Sequence, residues 1–507
     1  LLEKKLHPNS TVLKNITPYN SFKPFFVESL KTPIFTFKII HMLIVFVGIY
    51  LVATLAVGWY ASKNVGTASD FAVAGRKLPA FVVTAGLFAT WFGSETVMGA
   101  SSEFIEKGIL GIIEDPLGAS LCLLLIGLFY ARPLYKLNLL TFSDYFRIRF
   151  GRPAEWISAI FMIPSYFSWI AAQLVALALL LQVLTDIPFF WGVFTCASVV
   201  VFYTYIGGMW SVSITDTVQT VIIIIGMLFL TISIVNKSGG FGTIQDHVPD
   251  GFWRITPKEA SLKSWTIYLA AWITIGLGSI PQQDVFQRVL SAKSEKVAVR
   301  SAYFAAFMYL SIASMPLIIG LFGSILYPDV LAKDTQMAIP LLVLKHMGLC
   351  MQILTFGALL SAILSTCSGA TLAPATVLAE NLIKPLYGKK MSDKTLLQIM
   401  RSSVVVIAGI SMALALYKKH IFELVAESSA LSLVALFVPL TAGLYWKKAR
   451  LKGAILSMIS GTAVWSYFEF FPNEYPSLIW GLLASISGMI IGSFLTHSDT
   501  FNNSLTE

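Results

Sequence analysis

The sequence predicts an all-α, polytopic membrane protein of about 13 transmembrane helices whose core is a 5 + 5 inverted repeat. Three observations predict it. The 507 residues are 56% hydrophobic and only 12% charged, where soluble domains carry about 25% charged residues. The basic residues fall mostly in alternate loops between apolar runs. Two of those runs are interrupted by glycine at corresponding places.

Each run is long enough for a hydrocarbon core that takes about 20 helical residues. A first helix is expected at 39–61, behind a tail at 1–38. Five spans follow within 80–236, at 80–101, 108–131, 153–184, 188–207 and 213–236. Five more lie within 264–445, at 264–284, 299–327, 338–383 (a span plus a helical continuation), 399–417 and 420–445. Two C-terminal helices, 452–471 and 477–496, close the domain 452–496, and 497–507 forms a short cytoplasmic tail. The largest loops, 237–263 and 384–398, leave no room for a separate soluble domain.

The net charge of +9 reads as topology and argues against nucleic-acid binding. Taking alternate loops, twenty-one Lys and Arg lie on one side, in the clusters 63–77, 132–152, 288–300, 384–401 and 447–452. Nine lie on the other, among them Lys107, Lys237, Lys333 and Lys345. By the positive-inside rule the N-terminus is outside and the C-terminus cytoplasmic. The tail disagrees, since Lys4, Lys5, Lys14, Lys23, Lys31 and Lys38 then face outside. The chain opens with Leu1, and Met42 stands at the first span, so residues 1–41 are expected to be partly artefactual. Cys122, Cys196, Cys350 and Cys367 lie in apolar runs at wide spacing, which implies neither a disulfide framework nor a zinc site; they read as small packing residues.

The interruptions carry the functional reading. The span 80–101 is broken at Phe92-Gly93-Ser94 and carries Glu95 and Thr96, although a carboxylate at helix-centre depth costs roughly 2.5–3.5 kcal/mol. The span 264–284 is broken at GLGSIP, 276–281. Such a matched pair is the sequence pointer to a transporter binding site near the membrane midplane. Unwound backbone is tolerated there only where it lines a cavity or binds an ion, and Na⁺ suits an all-oxygen ligand set. Lone glycines in membrane helices otherwise serve close packing.

Five stretches resemble the sodium:solute symporter family: AGRKLPAFVVTAGLFATWFG (74–93), YIGGMWSVSITDTVQ (205–219), FQRVLSAKS (286–294), SAILSTCSGATLAPATVLAENL (361–382) and YWKKARLKGA (445–454). They occur in the family's order and spacing, from about residue 71 to 455. The resemblance implies a LeuT-like inverted-repeat bundle. It also implies a sodium site made by the carbonyls of Ala89 and Phe92, the carbonyl of Ala362 and the hydroxyls of Ser365 and Thr366. Independently, Ala362, Ser365 and Thr366 stand at i, i+3 and i+4 on one helix face, although membrane hydroxyls also bond back to their own helix. Asp216 matches an aspartate near the sodium exit, or is a solvated or Arg-paired carboxylate; Gln219 shares its face.

The solute is expected between the two breaks. Its candidate residues are Trp91, Glu95, Thr96, Glu114, Asp115, Trp169, Gln173, Gln282 and Gln283. Asp115 matches a substrate-binding carboxylate of the family's sugar symporters. Trp91 and Trp169 match two aromatic positions around the quaternary ammonium in its choline transporters. Gln282 and Ala119 depart from that cage, standing where those relatives have tryptophan and tyrosine. Glu95 is alternatively a structural group bonded across the bundle, and Glu103 and Glu106 read as solvated charges.

The function expected is Na⁺-coupled import of a small cationic or zwitterionic solute, of the kind of choline, betaine or an amino acid, by alternating access. The alternatives are proton coupling through Glu95 or Asp115, and a transporter-like membrane sensor. No nucleophile–base pair, metal cluster or cofactor loop supports an enzyme. Na⁺ is the expected coupling ion. The expected partners are the solute and the lipid bilayer, with no nucleic acid and no obligatory protein partner, and the location is the inner (plasma) membrane of a bacterium.

Overall fold

In a bilayer core, backbone polar groups are satisfied only within helices or closed barrels, and runs this apolar take the first solution. The computed structural model describes residues 33–244, 247–328, 335–387 and 391–495, with side chains of the first helix from Met42. The tail at 1–32, Lys333, Lys389, Lys390 and residues 496–507 lie outside the described residues, and the expectations about them with it.

The helices are, in order, α1 (Pro33–Ser62), α2 (Ala80–Trp91), α3 (Ser101–Lys107, entered through a wide π turn at Glu95–Ala100) and α4 (Ala119–Leu125, running on through Ile126–Tyr130 and Ala131–Lys136). The chain continues through α5 (Phe142–Phe150), α6 (Arg152–Thr185) and α7 (Phe189–Lys237). Then come α8 (Leu262–Gly278), α9 (Gln283–Leu290), α10 (Glu295–Leu326), α11 (Leu349–Val377) and α12 (Asp393–Tyr417). The last are α13 (Ile421–Ser432), α14 (Val438–Tyr445), α15 (Leu451–Phe470) and α16 (Ser477–Phe494). Among the described residues, nine helices are long and apolar enough to cross a membrane. Leu451–Phe470 and Leu262–Gly278 fall outside that set, the latter because the predicted break shortens it.

Glycine decides where long runs fold. Straight, the 49 residues of α7 would reach about 74 Å, against a hydrocarbon core of about 30 Å. Gly208, at φ +47°, ψ −140°, divides them, and a Cβ there would lie 2.5 Å from the Phe71 carbonyl oxygen. After α3 the chain reverses at Gly108, φ +64°, which brings Gly111 against the Glu103 carbonyl. Both breaks predicted from sequence are present. The helix stops at Trp91 and resumes at Glu95, and stops again at Gly278 and resumes at Gln283.

The two interrupted helices are tied together. Leu78, just before α2, donates its N–H to the Ser291 carbonyl at 3.0 Å, and Lys293 N–H donates to the Leu78 carbonyl at 2.9 Å. At the same end of the bundle α5 is capped by Thr141 and Asp144. Asn381 gathers that corner: it accepts from Thr141 Oγ1 at 2.7 Å and donates to Asp144 at 3.1 Å and Glu155 at 2.8 Å. Arg147 pairs with the same two carboxylates at 3.0 and 3.3 Å.

Two expectations are corrected here. Cys350 is exposed, while Cys122, Cys196 and Cys367 are buried; it is the second residue of α11, outside the packed face. Arg288, grouped by sequence with the solvated loop charges, is 2% exposed. The stretch after the second break folds back between helices, and its short length in sequence hides that.

Candidate functional site

The site begins at the first break. Phe92 leaves the helical region (φ −72°, ψ +72°), so the α2 hydrogen-bond ladder ends around it. The freed groups find partners from other helices. Thr366 Oγ1 on α11 donates to the Ala89 carbonyl at 3.0 Å and lies 3.2 Å from the Ala362 carbonyl of its own helix. The hydroxyl thus bonds back to its own helix and also reaches the broken one. Ser94 N–H donates to Gln173 Oε1 at 2.9 Å, and Gln173 Nε2 donates to Glu95 Oε2 at 2.7 Å. Gln173 on α6 thus clamps the resuming helix at two points. Gly93 permits this closeness, for a Cβ there would lie 2.7 Å from both Gln173 Oε1 and Thr366 Oγ1.

A second polar knot lies beside the first. Tyr309 on α10 donates to Asp115 Oδ1 at 2.6 Å. Its oxygen is 2.6 Å from Thr96 Oγ1, which reaches the Trp91 carbonyl at 3.0 Å. Asp115 is extended (φ −143°, ψ +127°) within the chain that leads into α4. Phe92 packs its ring 4.8 Å from Phe88 and 6.3 Å from Tyr309. Nothing in the sequence singled out Tyr309, one of several hydroxyl residues, with Tyr303, Ser311 and Ser314, in the same apolar run.

Several buried polar atoms here have no partner among the described residues: Glu95 Oε1, Asp115 Oδ2, both amide atoms of Gln282, and the indole N–H of Trp91 and Trp169. All five side chains are 1% exposed. The Trp169 ring stacks on Tyr166 at 6.0 Å, and Tyr166 donates to Asp284 at 2.7 Å beyond the second break. Aromatic rings therefore join the two breaks.

One of the expected solute residues is held elsewhere. Gln283 Oε1 accepts the N–H of Phe142 at 2.5 Å, so it holds the start of α5. Glu114 Oε2, like Glu95 Oε1, is a buried atom with no partner among the described residues, and the neighbouring Glu103 and Lys107 pair at 2.5 Å at the end of α3. Glu106 accepts from Thr335 at 2.7 Å. Gln282 and Gln283 are adjacent in sequence, too close for sequence to tell which way each points at a helix break.

Ser365 and Asp216 meet on the other side of Thr366. Ser365 Oγ donates to Asp216 Oδ1 at 2.5 Å, and Arg288 pairs with Asp216 Oδ2 at 3.0 Å. Asp216 is fully buried, which corrects the solvated alternative and leaves the Arg-paired one. Gln219 donates to the Tyr50 hydroxyl at 3.2 Å, towards α1. Among the described residues no cluster of His, Cys, Asp or Glu is arranged to hold a metal. The oxygens gathered around the first break are the carbonyls of Ala89 and Trp91, the hydroxyls of Thr96 and Thr366, and the carboxylates of Glu95 and Asp115.

Comparison with known proteins follows the same lines. A family model described as the sodium:solute symporter family matches residues 71–461. The high affinity choline transporter 1 of Homo sapiens is 28% identical over 466 residues, covering 86% of this chain and 79% of its own. The osmoregulated proline transporter of Bacillus subtilis is 28% identical over 480 residues, covering 88% of this chain and 94% of its own. A solved Na⁺-coupled sialic acid symporter, substrate-bound and outward-open, shares the fold with a TM-score of 0.77 at 20% identity, over 90% of this chain and 98% of that one. The solutes named for these relatives differ, so the cargo has to be read from the residues at the breaks.

Proposed function

We propose that this chain, which belongs to the sodium:solute symporter family and so moves a small solute across a membrane with Na⁺ rather than acting as an enzyme, takes a compact organic cation or zwitterion as that solute. The observation that carries the solute class is a charge imbalance. Glu95 and Asp115 are buried carboxylates, each with one unpartnered oxygen, and no Lys or Arg hydrogen-bonds or pairs with either among the described residues. Leaving such a group unsatisfied costs about 1–3 kcal/mol, more when it is charged. A cationic solute head supplies the missing charge. The Trp91 and Trp169 rings favour it further, since a desolvated cation over tryptophan gains about 2 kcal/mol. Their unpartnered N–H groups and the Gln282 amide would in turn meet an acceptor such as a carboxylate or hydroxyl.

The sodium site in this reading joins the carbonyls of Ala89, Phe92 and Ala362 to the hydroxyls of Ser365 and Thr366. The contact of Thr366 with Ala89 supports it, as does an all-oxygen donor set, which suits a hard cation. Sodium would hold the two sides of the first break together and favour the solute-binding form. Rocking of the bundle would then release both inside, driven by the Na⁺ gradient and by about 2.3 kcal/mol per charge per 100 mV. We place the chain in a plasma membrane with its N-terminus outside and C-terminus cytoplasmic, and Asp216 beside the ion's exit.

The test is thermal stabilisation of the purified protein by a panel of amines, zwitterions, sugars and organic acids, with Na⁺ or with K⁺. Stabilisation by cationic or zwitterionic members, larger in Na⁺, is the expected result. A response confined to sugars or organic acids would overturn the solute class.

A further inference from the structure

Helix α1 precedes the first interrupted helix, and most of its surface is exposed, Val45, Ile49 and Val52 among it. Towards the bundle it turns one seam, formed by Leu43, Val47, Tyr50, Thr54, Gly58 and Ala61, whose spacing of three and four residues is that of one helix face. The seam lies over two helices at once. A Cβ on Gly58 would sit 2.8 Å from both Tyr203 Cβ and Ser211 Oγ, residues on either side of the kink that Gly208 puts into α7. Further back along α1, Phe46 enters the groove between α7 and α11. A Cβ on Gly357 of α11 would sit 3.2 Å from Phe46 Cζ and 3.9 Å from Ile222 Cγ2 of α7.

Between those two points Tyr50 puts a hydroxyl into the groove. Its oxygen lies 2.8 Å from Ser361 Oγ of α11 and accepts from Gln219 Nε2 of α7 at 3.2 Å. A phenol carries one proton and accepts as well, so this single group bonds both helices. Thr54, the other hydroxyl of the seam, returns to the Tyr50 carbonyl of its own helix at 3.0 Å. Filling the groove takes only the ring, which phenylalanine would supply equally. The hydroxyl adds a link that any parting of α7 from α11 has to break, at a depth where no water replaces it.

We propose that α1 is a splint on the seam between α7 and α11, with Tyr50 as its positioning residue: the hydroxyl, shared by Gln219 and Ser361, restrains the two helices from parting as the bundle rocks. This rests on the alternating-access reading, and not on which solute or ion is carried. The opposite face of α1 is exposed, so the restraint acts from outside the transport route.

The experiment reads how readily the seam opens. Cys367 is fully buried on α11, three residues beyond the Leu364 carbonyl to which Tyr203 of α7 donates at 2.9 Å. In purified protein carrying Cys122→Ser, Cys196→Ser and Cys350→Ser, modification of Cys367 by methyl methanethiosulfonate is timed well below the melting temperature. Tyr50→Phe should raise that rate about threefold or more, the scale on which hydrogen bonds between membrane helices act. Gln219→Leu and Ser361→Ala, which leave the ring and α1 intact, should each raise it too, and they carry the test should Tyr50→Phe fail to fold. Because its effect passes through the phenol, Ser361→Ala should add nothing further to Tyr50→Phe, a coupling that double-mutant cycles detect. A merely structural role for Tyr50 would lower the melting temperature and leave the rate unchanged. If Cys367 reacts in the parent and none of the three variants speeds it, the splint is overturned and alternating access stands. If Cys367 stays unreactive in parent and variants alike, this seam is not where the bundle opens, and the splint falls with it.

Discussion

Thr366 reaches from α11 to donate its hydroxyl to the carbonyl of Ala89 at 3.0 Å, across 277 residues of chain. That bond closes the gap between the broken first helix of one repeat and an unbroken helix of the other. It is the contact at which an ion bound by both would be felt by both.

Removing the two hydroxyls therefore tests the coupling ion directly. Ser365→Ala combined with Thr366→Ala should abolish stabilisation by Na⁺ in the concentration range where the parent protein responds. Thr366→Ser should retain it. A Na⁺ response of the double variant equal to the parent's would remove these residues from the ion site.

Gly93→Ala tests the closeness of the break. The added methyl would lie 2.7 Å from Gln173 Oε1 and Thr366 Oγ1 and 3.0 Å from Glu95 Oε2. Overpacking of this kind costs about 1–3 kcal/mol, and here it pushes apart groups proposed for both ion and solute. Na⁺ and solute stabilisation should both fall, with a lower melting temperature. Preserved binding of both would show that the break is looser than this geometry.

Glu95→Gln and Asp115→Asn keep shape while removing charge. Each should weaken binding of a cationic or zwitterionic solute about tenfold or more, since a hydrogen bond to a charged group contributes about 1.5–3 kcal/mol. The Na⁺ midpoint measured without solute should move little. A Na⁺ midpoint that shifts as much as solute binding would instead make these carboxylates part of the ion site.

Asn381→Ala probes the far corner of the bundle. Asn381 donates to Asp144 and Glu155 at 3.1 and 2.8 Å, so its loss leaves each carboxylate one donor short. Loss of buried donors of this kind costs about 1–3 kcal/mol, read as a lowered melting temperature. Na⁺ affinity should be unchanged.

Cys350 is the exposed cysteine of the four, and under the proposed orientation it lies at the outer end of α11. A membrane-impermeant maleimide applied to intact cells should label it, and Cys350→Ser should remove the label. Labelling only after the membrane is opened would invert the proposed topology.

Composition and the spacing of glycines among apolar runs were enough to determine that this chain is a helical membrane protein with two interrupted helices. Hydrophobic length and backbone satisfaction in lipid leave few other solutions. The face shared by Ala362, Ser365 and Thr366 was also legible, because helical periodicity alone places it. Tertiary structure decided the rest. It put Arg288 inside rather than in a loop, added Tyr309 to Asp115, gave Gln173 to Glu95, and gave the Gln283 side chain to the start of α5. Where the backbone leaves the helix, periodicity no longer says where a side chain points. There the direction of each side chain is set by contacts with helices 78 to 277 residues away.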